Sequence, residues 1–410
     1  MTAHLRTAWI ALTMAAALAL AGCGGDSGTG DARTSCSSAL TGAPIRVGFV
    51  NSDQGAFALP EVSAMARAAA NCLNHDGGVN GHPLELDLCA TDGTPAASTR
   101  CANQFVTHKV LAVLNGDDGG LDSALPIYQK AGLHLFGVTA PPAVSADPNS
   151  TIMTPPVAIA TAANGPIFKL IGIRNAVVIL PNFGPAVSQG FKGLQAVLAP
   201  YGVQISLSLV APANPDVTAA VTAAKAKGAD ALIFSLSEND CTNAVRTAKS
   251  LGWSGVLWAG SCTQFLRQLG PQAAGVYTSS TLFPYSSRAS AEKYDPRLES
   301  DFSQYEAVTK AAGLDQHLDS NYVAYGYSTV MTFADVLKGI SGEITQASVN
   351  QALSTFRGRE VLGTPLDCTA KLQPGGACGR YYIALQVQAD GTQTLIGDKP
   401  IDLAALASTK

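Results

Sequence analysis

A chain of 410 residues is too long for one ordinary hydrophobic core and suggests two or three folding units. Apolar residues make up 47% and charged residues 14%, which excludes a disordered tail. The formal net charge of -4 excludes a broad basic face for nucleic acid or any other polyanion.

In chain order, the first element is an export signal. "MTAHLRTAWIALTMAAALALAGCGG" places Arg6 in a positive n-region, continues through an apolar run over 9–20, and ends in small residues before Cys23. The run is shorter than the roughly 20 residues a spanning helix needs. No later segment reaches that length without charge or helix breakers, so the mature protein is expected not to cross a membrane. "LAGC" resembles the bacterial lipobox, which implies removal of residues 1–22 and acylation of Cys23. Several acyl chains, at about 0.8 kcal/mol per buried methylene, would hold the protein stably at the membrane. Residues 23–43, rich in Gly, Ser, Thr and Asp, then read as a flexible tether.

From Ile45 onward, apolar runs alternate with helix-like segments: "IRVGFV", a helical stretch over about 59–74, "PLELDLC", a second over 95–108, "VLAVLN", a third over 121–130, and "LHLFGV". This alternation predicts a parallel sheet covered by helices on both faces. The proline-rich "TAPPAVSADPNSTIMTPP" punctuates the pattern. A second set follows, with a helix to residue 170 and then "AVVIL", "VQISLSLV", "ADALIFSL" and "GVLWAG", each followed by a helix candidate. "TLFPYSS" breaks the rhythm again, so the second sheet is expected to be complete by about residue 281. Helical patterns over 297–312 and 321–340 come next, without strands between them. The last part, "LGTPLDCTAKLQPGGACGRYYIALQVQADGTQTLIG", predicts a loop and a terminal β-hairpin about the "ADGT" turn.

Setting Cys23 aside leaves eight cysteines, an even number that in an exported chain predicts disulfides. Spacing suggests Cys89 with Cys101, Cys241 with Cys262, and Cys368 with Cys378, leaving Cys36 and Cys72 for each other. A structural zinc site is disfavoured, because there is no paired CxxC and the six histidines lack ligand spacing. No P-loop or complete G-x-G-x-x-G follows a strand, so nucleotide binding is set aside as well. Two open α/β units joined by proline-rich crossings imply an interlobe cleft, with ligands at the carboxyl ends of the strands.

"IRVGFVNSDQGAF", "NHDGGVNGHPLELDLC", "TDGTPAASTRCANQFV" and "GADALIFSLSENDCTNAVRTAKSLGW" resemble the branched-chain amino-acid type of periplasmic binding protein, the substrate-binding proteins of ABC importers with the type I fold. The resemblance implies two Rossmann-like lobes with parallel sheets flanked by helices, joined by three crossings near Thr154, Pro284 and Gly363. Lobe 1 would hold residues 44–154 and 284–362, and lobe 2 residues 155–283 and 363–410. It also implies hinge closure around a ligand, delivery to an ABC permease, no cofactor, no catalytic residue and a monomer.

The same resemblance points to contacts on the strand-end loops. In "NSDQGAFA", Phe57 occupies a ligand-stacking position with Gln54 beside it, although Phe57 reads equally as a staple against the next helix. In "LNGDDGGLDSALP", Asp118 falls where relatives carry a hydroxyl that receives the amino-acid carboxylate, with Asp117 and the Gly119 main chain alongside. A carboxylate there would repel an anion by about 4 kcal/mol for unit charges about 4 Å apart near a protein surface. Either aspartate also reads as a cap for the helix that follows, which leaves the other free. A calcium loop is disfavoured because "DDGGLD" lacks spaced oxygen ligands.

Thr139 and the Ala140 main chain are expected at the ligand's polar end, Pro141 standing where a hydroxyl is usual. From the second lobe, Phe183 replaces a common Tyr, or packs under the next helix. Ser237 and Glu238 are expected to reach the cleft, with Asn239 or Asp240 capping the helix. Cys262 stands close to the place of the acidic residue that holds the ligand ammonium in leucine-binding members, so Glu238 or Asp118 would replace it. These departures favour a cationic or neutral polar ligand, such as an amine, amide or polyol, over free leucine or valine.

The expected function is therefore a lipid-anchored extracytoplasmic solute-binding protein for a small polar molecule, whether amino acid, amine, amide or polyol. A ligand-sensing lipoprotein that signals to a membrane partner would share the same cleft. An exported hydrolase is the third alternative. It fails because Ser188 in "AVSQG" lies within a predicted helix, and no histidine of the second lobe could serve as its base.

Overall fold

The computed structural model describes residues 40–55, 58–182, 184–212 and 215–407. The export signal, Cys23, most of the tether, Cys36, Phe57 and Phe183 lie outside these residues.

The first set of elements runs β1 (Ile45–Ser52), α1 (Pro60–His75), β2 (Leu84–Thr91), α2 (Pro95–His108), β3 (Val113–Asn115), α3 (Leu121–Ala131), β4 (Leu135–Gly137), α4 (Pro142–Ala146) and β5 (Ser150–Ile152). The strands form a parallel sheet in the order β2-β1-β3-β4-β5. β1 is buried on both faces from Val47 onward, as a central parallel strand must be. α1 starts at a proline in its first position and turns Val62, Met65, Ala66, Ala69 and Leu73 inward at helical spacing. β5 and α4 fall in the stretch that the sequence reads only as proline-rich punctuation. Its polar residues can be buried because their hydroxyls are satisfied: Ser150 donates to the Asp147 carbonyl (2.7 Å) and Thr151 to that of Leu353 (3.1 Å).

The second set runs α5 (Val157–Leu170), β6 (Asn175–Pro181), α6 (Pro185–Leu198), β7 (Gln204–Val210), α7 (Thr218–Ala226), β8 (Ala231–Phe234), α8 (Glu238–Ser250), β9 (Val256–Trp258), α9 (Gln264–Leu269) and β10 (Tyr277–Ser280). Four helices follow, α10 (Arg288–Tyr294), α11 (Leu298–Ala311), α12 (Asn321–Lys338) and α13 (Gln346–Ser354). The chain ends with β11 (Arg357–Arg359), β12 (Pro365–Asp367), β13 (Tyr381–Val387), β14 (Gln393–Leu395), β15 (Ile401–Asp402) and α14 (Leu403–Ala407).

The second sheet has the order β14-β13-β10-β9-β8-β6-β7, with β15 also on β13. It is parallel from β10 to β7 and antiparallel where β13 joins β10. The sheet is therefore not complete at residue 281, because the terminal hairpin extends it beyond β10. Buried Gln393 ties the addition in place by donating to Thr278 Oγ1 at 2.6 Å.

After the second set the chain returns to the first sheet. α12 lies against α1 so closely that a Cβ on Gly326 would stand 2.4 Å from the Val62 carbonyl oxygen, and only glycine fits there. The core under the first sheet accordingly joins Phe49, Met65 and Phe136 to Phe302, Tyr327 and Phe333 from far along the chain.

The crossings lie side by side. Ile152 pairs with Ala377, the Cys378 N–H donates to the Ile152 carbonyl at 2.7 Å, and the Phe283 N–H donates to that of Leu362 at 2.8 Å. Residues 363–378 keep company with the first sheet and with β11, and the chain enters the second sheet at Tyr381 rather than near Gly363. Next to these crossings, Glu360 is 1% exposed and its Oε1 lacks a hydrogen-bond partner. Disulfides join Cys89 to Cys101, Cys241 to Cys262 and Cys368 to Cys378. No helix among the described residues is long and apolar enough to cross a membrane.

Candidate functional site

The loops at the carboxyl ends of both sheets meet at an acidic recess of about 530 Å³. The first lobe supplies Ala58, Leu59 and Glu61 from the start of α1, Asp117 from the β3–α3 turn, and Ser320 and Tyr322 from the start of α12. The second supplies Leu236 to Asn239 from the β8–α8 turn, and Ser261, Cys262 and Gln264 from the start of α9. Among the described residues lining it, three are carboxylates and none is basic.

The adjacent aspartates of the β3–α3 turn divide their work otherwise than expected. Asp118, placed by the sequence at the ligand, is 1% exposed and belongs to the scaffold. Its carboxylate accepts from Thr91 Oγ1 at 2.7 Å, Ser98 Oγ at 2.5 Å and the Gly120 N–H at 3.4 Å, fastening the turn to the end of β2 and the start of α2. Gly120 is the residue before α3, which has no side-chain cap at its first turn, so Asp118 steadies the approach to the helix rather than capping it.

Asp117 is the one that faces the recess. Asn51, at the end of β1, accepts its N–H at 2.9 Å, and Ser52 donates to its carbonyl at 3.3 Å. Burial pushes the Asp117 carboxyl up to about 6, and the negative charge of Asp118 adds to the rise.

Glu238 opens α8 and lines the recess from the second lobe, as Asp117 does from the first. Its carboxylate accepts the N–H groups of Thr263 (3.0 and 3.2 Å) and Gln264 (3.0 Å), closing the first turn of α9. Burial raises its pKa, and those N–H groups work in the opposite direction. The Cys241–Cys262 disulfide binds α8 to the loop before α9 directly behind this contact, so Cys262 enters the recess wall as half of a bridge. Ser237 caps α8, accepting from the Asp240 N–H at 3.3 Å while donating to its carboxylate at 2.6 Å. The cap is therefore neither Asn239 nor Asp240, because the serine precedes the helix in extended backbone and can reach the open N–H.

Tyr322 is absent from the sequence reading, yet it lines the recess within reach of the charge of both carboxylates. Its phenol is pushed up to about 12, first by burial and then by the charges of Asp117 and Glu238. Its ring meets that of Tyr325 edge-on at 5.7 Å, and Thr281 donates to the Tyr325 hydroxyl at 3.1 Å. Neighbouring Asn321 donates to the Ser261 carbonyl at 3.0 Å and accepts from Ser280 at 2.8 Å, so the start of α12 connects the lobes.

Other expected contacts are not brought to the recess walls. The carbonyl of Thr139 accepts from Asn115 (2.8 Å) and that of Ala140 from Ser145 (3.1 Å). Gln54 and Gly119 are exposed beside the recess, with their N–H groups directed to the Thr91 carbonyl (3.1 Å) and Ser52 Oγ (3.4 Å). Ser188 is exposed on α6 rather than on a strand-to-helix turn, without the geometry of a nucleophile elbow. Among the described residues, no cluster of His, Cys, Asp and Glu could hold a metal ion.

A second recess of about 490 Å³ adjoins the first, sharing Leu236, Ser237 and Tyr322. It is walled by Leu180 and Pro181 at the end of β6, by Val187, Phe191 and Leu194 along α6, and by Pro212.

Solved structures share this architecture. The branched-chain amino-acid substrate-binding protein LivJ of Streptococcus pneumoniae, in complex with isoleucine, is 18% identical, matches over 86% of this chain and 99% of its own, and has a TM-score of 0.67. A fatty-acid ABC transporter substrate-binding protein from Thermomonospora curvata is 15% identical over 90% of this chain and 95% of its own, with a TM-score of 0.69. An ABC transporter solute-binding protein of Rhodopseudomonas palustris in complex with 3,4-dihydroxybenzoic acid is 17% identical over 88% and 98%, with a TM-score of 0.69. No curated protein matches the chain significantly in sequence. Residues 44–392 match the family described as periplasmic binding protein. With that match over most of its length, the chain belongs to the periplasmic binding protein family.

Proposed function

We propose that the chain is a lipid-anchored, extracytoplasmic solute-binding protein that captures a small polar molecule by hinge closure and delivers it to the permease of an ABC importer. It acts as a monomer and performs no catalysis. Acylated Cys23 is its attachment to the membrane.

The observation that carries the ligand assignment is the recess lined by Glu61, Asp117 and Glu238, with no basic side chain among its described lining residues. A bare carboxylate would meet like charge there, whereas an ammonium, an amide or a polyol would find acceptors. Fold likeness does not fix the ligand, since the related structures are named for isoleucine, fatty acid and dihydroxybenzoate. The connected crossings and the contacts of Asn321 with the second lobe support a hinge that responds to a molecule held between the lobes.

A thermal-shift screen of the purified protein tests this reading with amines, amides, polyols and amino acids. A ligand at about 100 times its Kd stabilises by about 2.7 kcal/mol, well within detection. Amines, amides or polyols are expected to raise the melting temperature; stabilisation by branched-chain amino acids alone would refute the ligand assignment.

A further inference from the structure

The acidic recess abuts the apolar one. Leu236, Ser237 and Tyr322 belong to both walls. Val187, Phe191 and Leu194 recur at four- and three-residue spacing, which sets them on one face of α6. Of the polar groups beside them, the Ser237 hydroxyl and the Asp240 carboxylate bond to each other at 2.6 Å, and Ser235 and Tyr322 also reach the wall. A water-filled groove of this composition gains free energy when hydrocarbon replaces the water, and its volume falls within the range of small-molecule sites.

We propose that the two recesses form one composite site whose ligand is an amphiphilic cation, with an ammonium head between Asp117 and Glu238 and a hydrocarbon body along α6. This rests on the cation-accepting reading of the acidic recess and adds the body. Charge complementarity orients the ligand, because Glu61, Asp117 and Glu238 line the recess entered by the head, while Leu180, Val187, Phe191 and Leu194 line the other, where the one carboxylate among the described lining residues, Asp240, is bonded to the Ser237 hydroxyl. A free amino acid would bring a carboxylate to the wrong chamber and leave most of the groove unfilled.

Titration calorimetry of the purified protein with n-propylamine, n-butylamine and n-hexylamine, alongside hexan-1-ol and hexanoate, tests the proposal. Each added methylene is expected to lower Kd about fourfold, so that hexylamine binds about 60-fold more tightly than propylamine. Hexanoate is expected to bind at least about tenfold more weakly than hexylamine, from like-charge repulsion at the head. Val187 and Leu194 are only partly buried, so Val187→Gln and Leu194→Gln should fold, which their melting temperatures will verify; each should flatten the chain-length series.

Amine binding indifferent to chain length would overturn the hydrocarbon body and leave the acidic recess as described. Hexan-1-ol binding with no amine binding would overturn the cationic head and leave the neutral polar ligands of the earlier reading, whereas hexanoate equal to hexylamine would overturn both. A steep amine series in wild type that persists unchanged in both glutamine variants would place the body elsewhere and refute the composite site.

Discussion

Asp117→Asn isolates the contribution of the carboxylate that faces the cleft. In the folded protein burial moves this group from 3.8 to about 6. At about 1.4 kcal/mol per pKa unit, the ionised form costs the empty protein up to about 3 kcal/mol, an upper figure because part of the side chain meets solvent. The sign follows from proton linkage. Between these two values the folded state holds a proton that the unfolded chain has released, so stability is greatest below about pH 4 and falls as pH rises through about 6.

Asparagine has no proton to lose. Urea denaturation of wild type and Asp117→Asn across about pH 4 to pH 8 should show the variant level with wild type at the acid end and more stable by about 2–3 kcal/mol at the neutral end. Over the same range amine affinity should rise with pH in wild type, as Asp117 and Glu238 ionise, and rise less in the variant, where Glu238 alone still titrates. Parallel stability curves for the two proteins would refute the claim that Asp117 is a desolvated carboxylate held ready for a cation.

Three further outcomes follow from neighbouring groups. Asp118→Ala should lower unfolding stability by about 1–3 kcal/mol in urea, since the Thr91 and Ser98 hydroxyls lose their shortest acceptor and fall back on longer contacts, while the folded fraction keeps its ligand preference. Glu238→Gln retains an acceptor for the first turn of α9 and should leave stability within about 1 kcal/mol, but weaken amine binding by tenfold or more in calorimetry. Glu360 is raised well above 4.5 by burial, so it favours the folded state below that value and loses that contribution as pH rises; Glu360→Gln in the Asp117→Asn background should reduce the remaining slope in urea titrations, with Glu238 and Asp319 still titrating.

The lobes were legible because their strands are apolar runs and their helices carry an inward face, patterns that burial imposes on sequence. β5 was not, since buried Ser150 and Thr151 are satisfied by carbonyls that only the folded chain supplies. The joining of β13 to β10 depends on a long-range pairing that local alternation does not encode. At the site, the sequence marked the right turn and named both aspartates, but it favoured Asp118 for the ligand and left open which of the two would cap the helix. Their directions are set by Asn51 gripping the Asp117 N–H and by the Thr91 and Ser98 hydroxyls drawing Asp118 inward, contacts across as many as 66 positions. Tyr322 carried no signal at all, because it reaches the cleft only after α12 has packed on α1, where Gly326 admits it.

The placement of β13 has a bearing on synthesis and secretion. The second sheet awaits residues 381–395 for its far edge, and the core of the first awaits residues from α11 and α12. A nascent chain delivered from its amino end therefore carries two unfinished lobes until nearly all of it has emerged. A premature stop after Ser280 would leave both lobes raw, even though every parallel strand of each would already have been made.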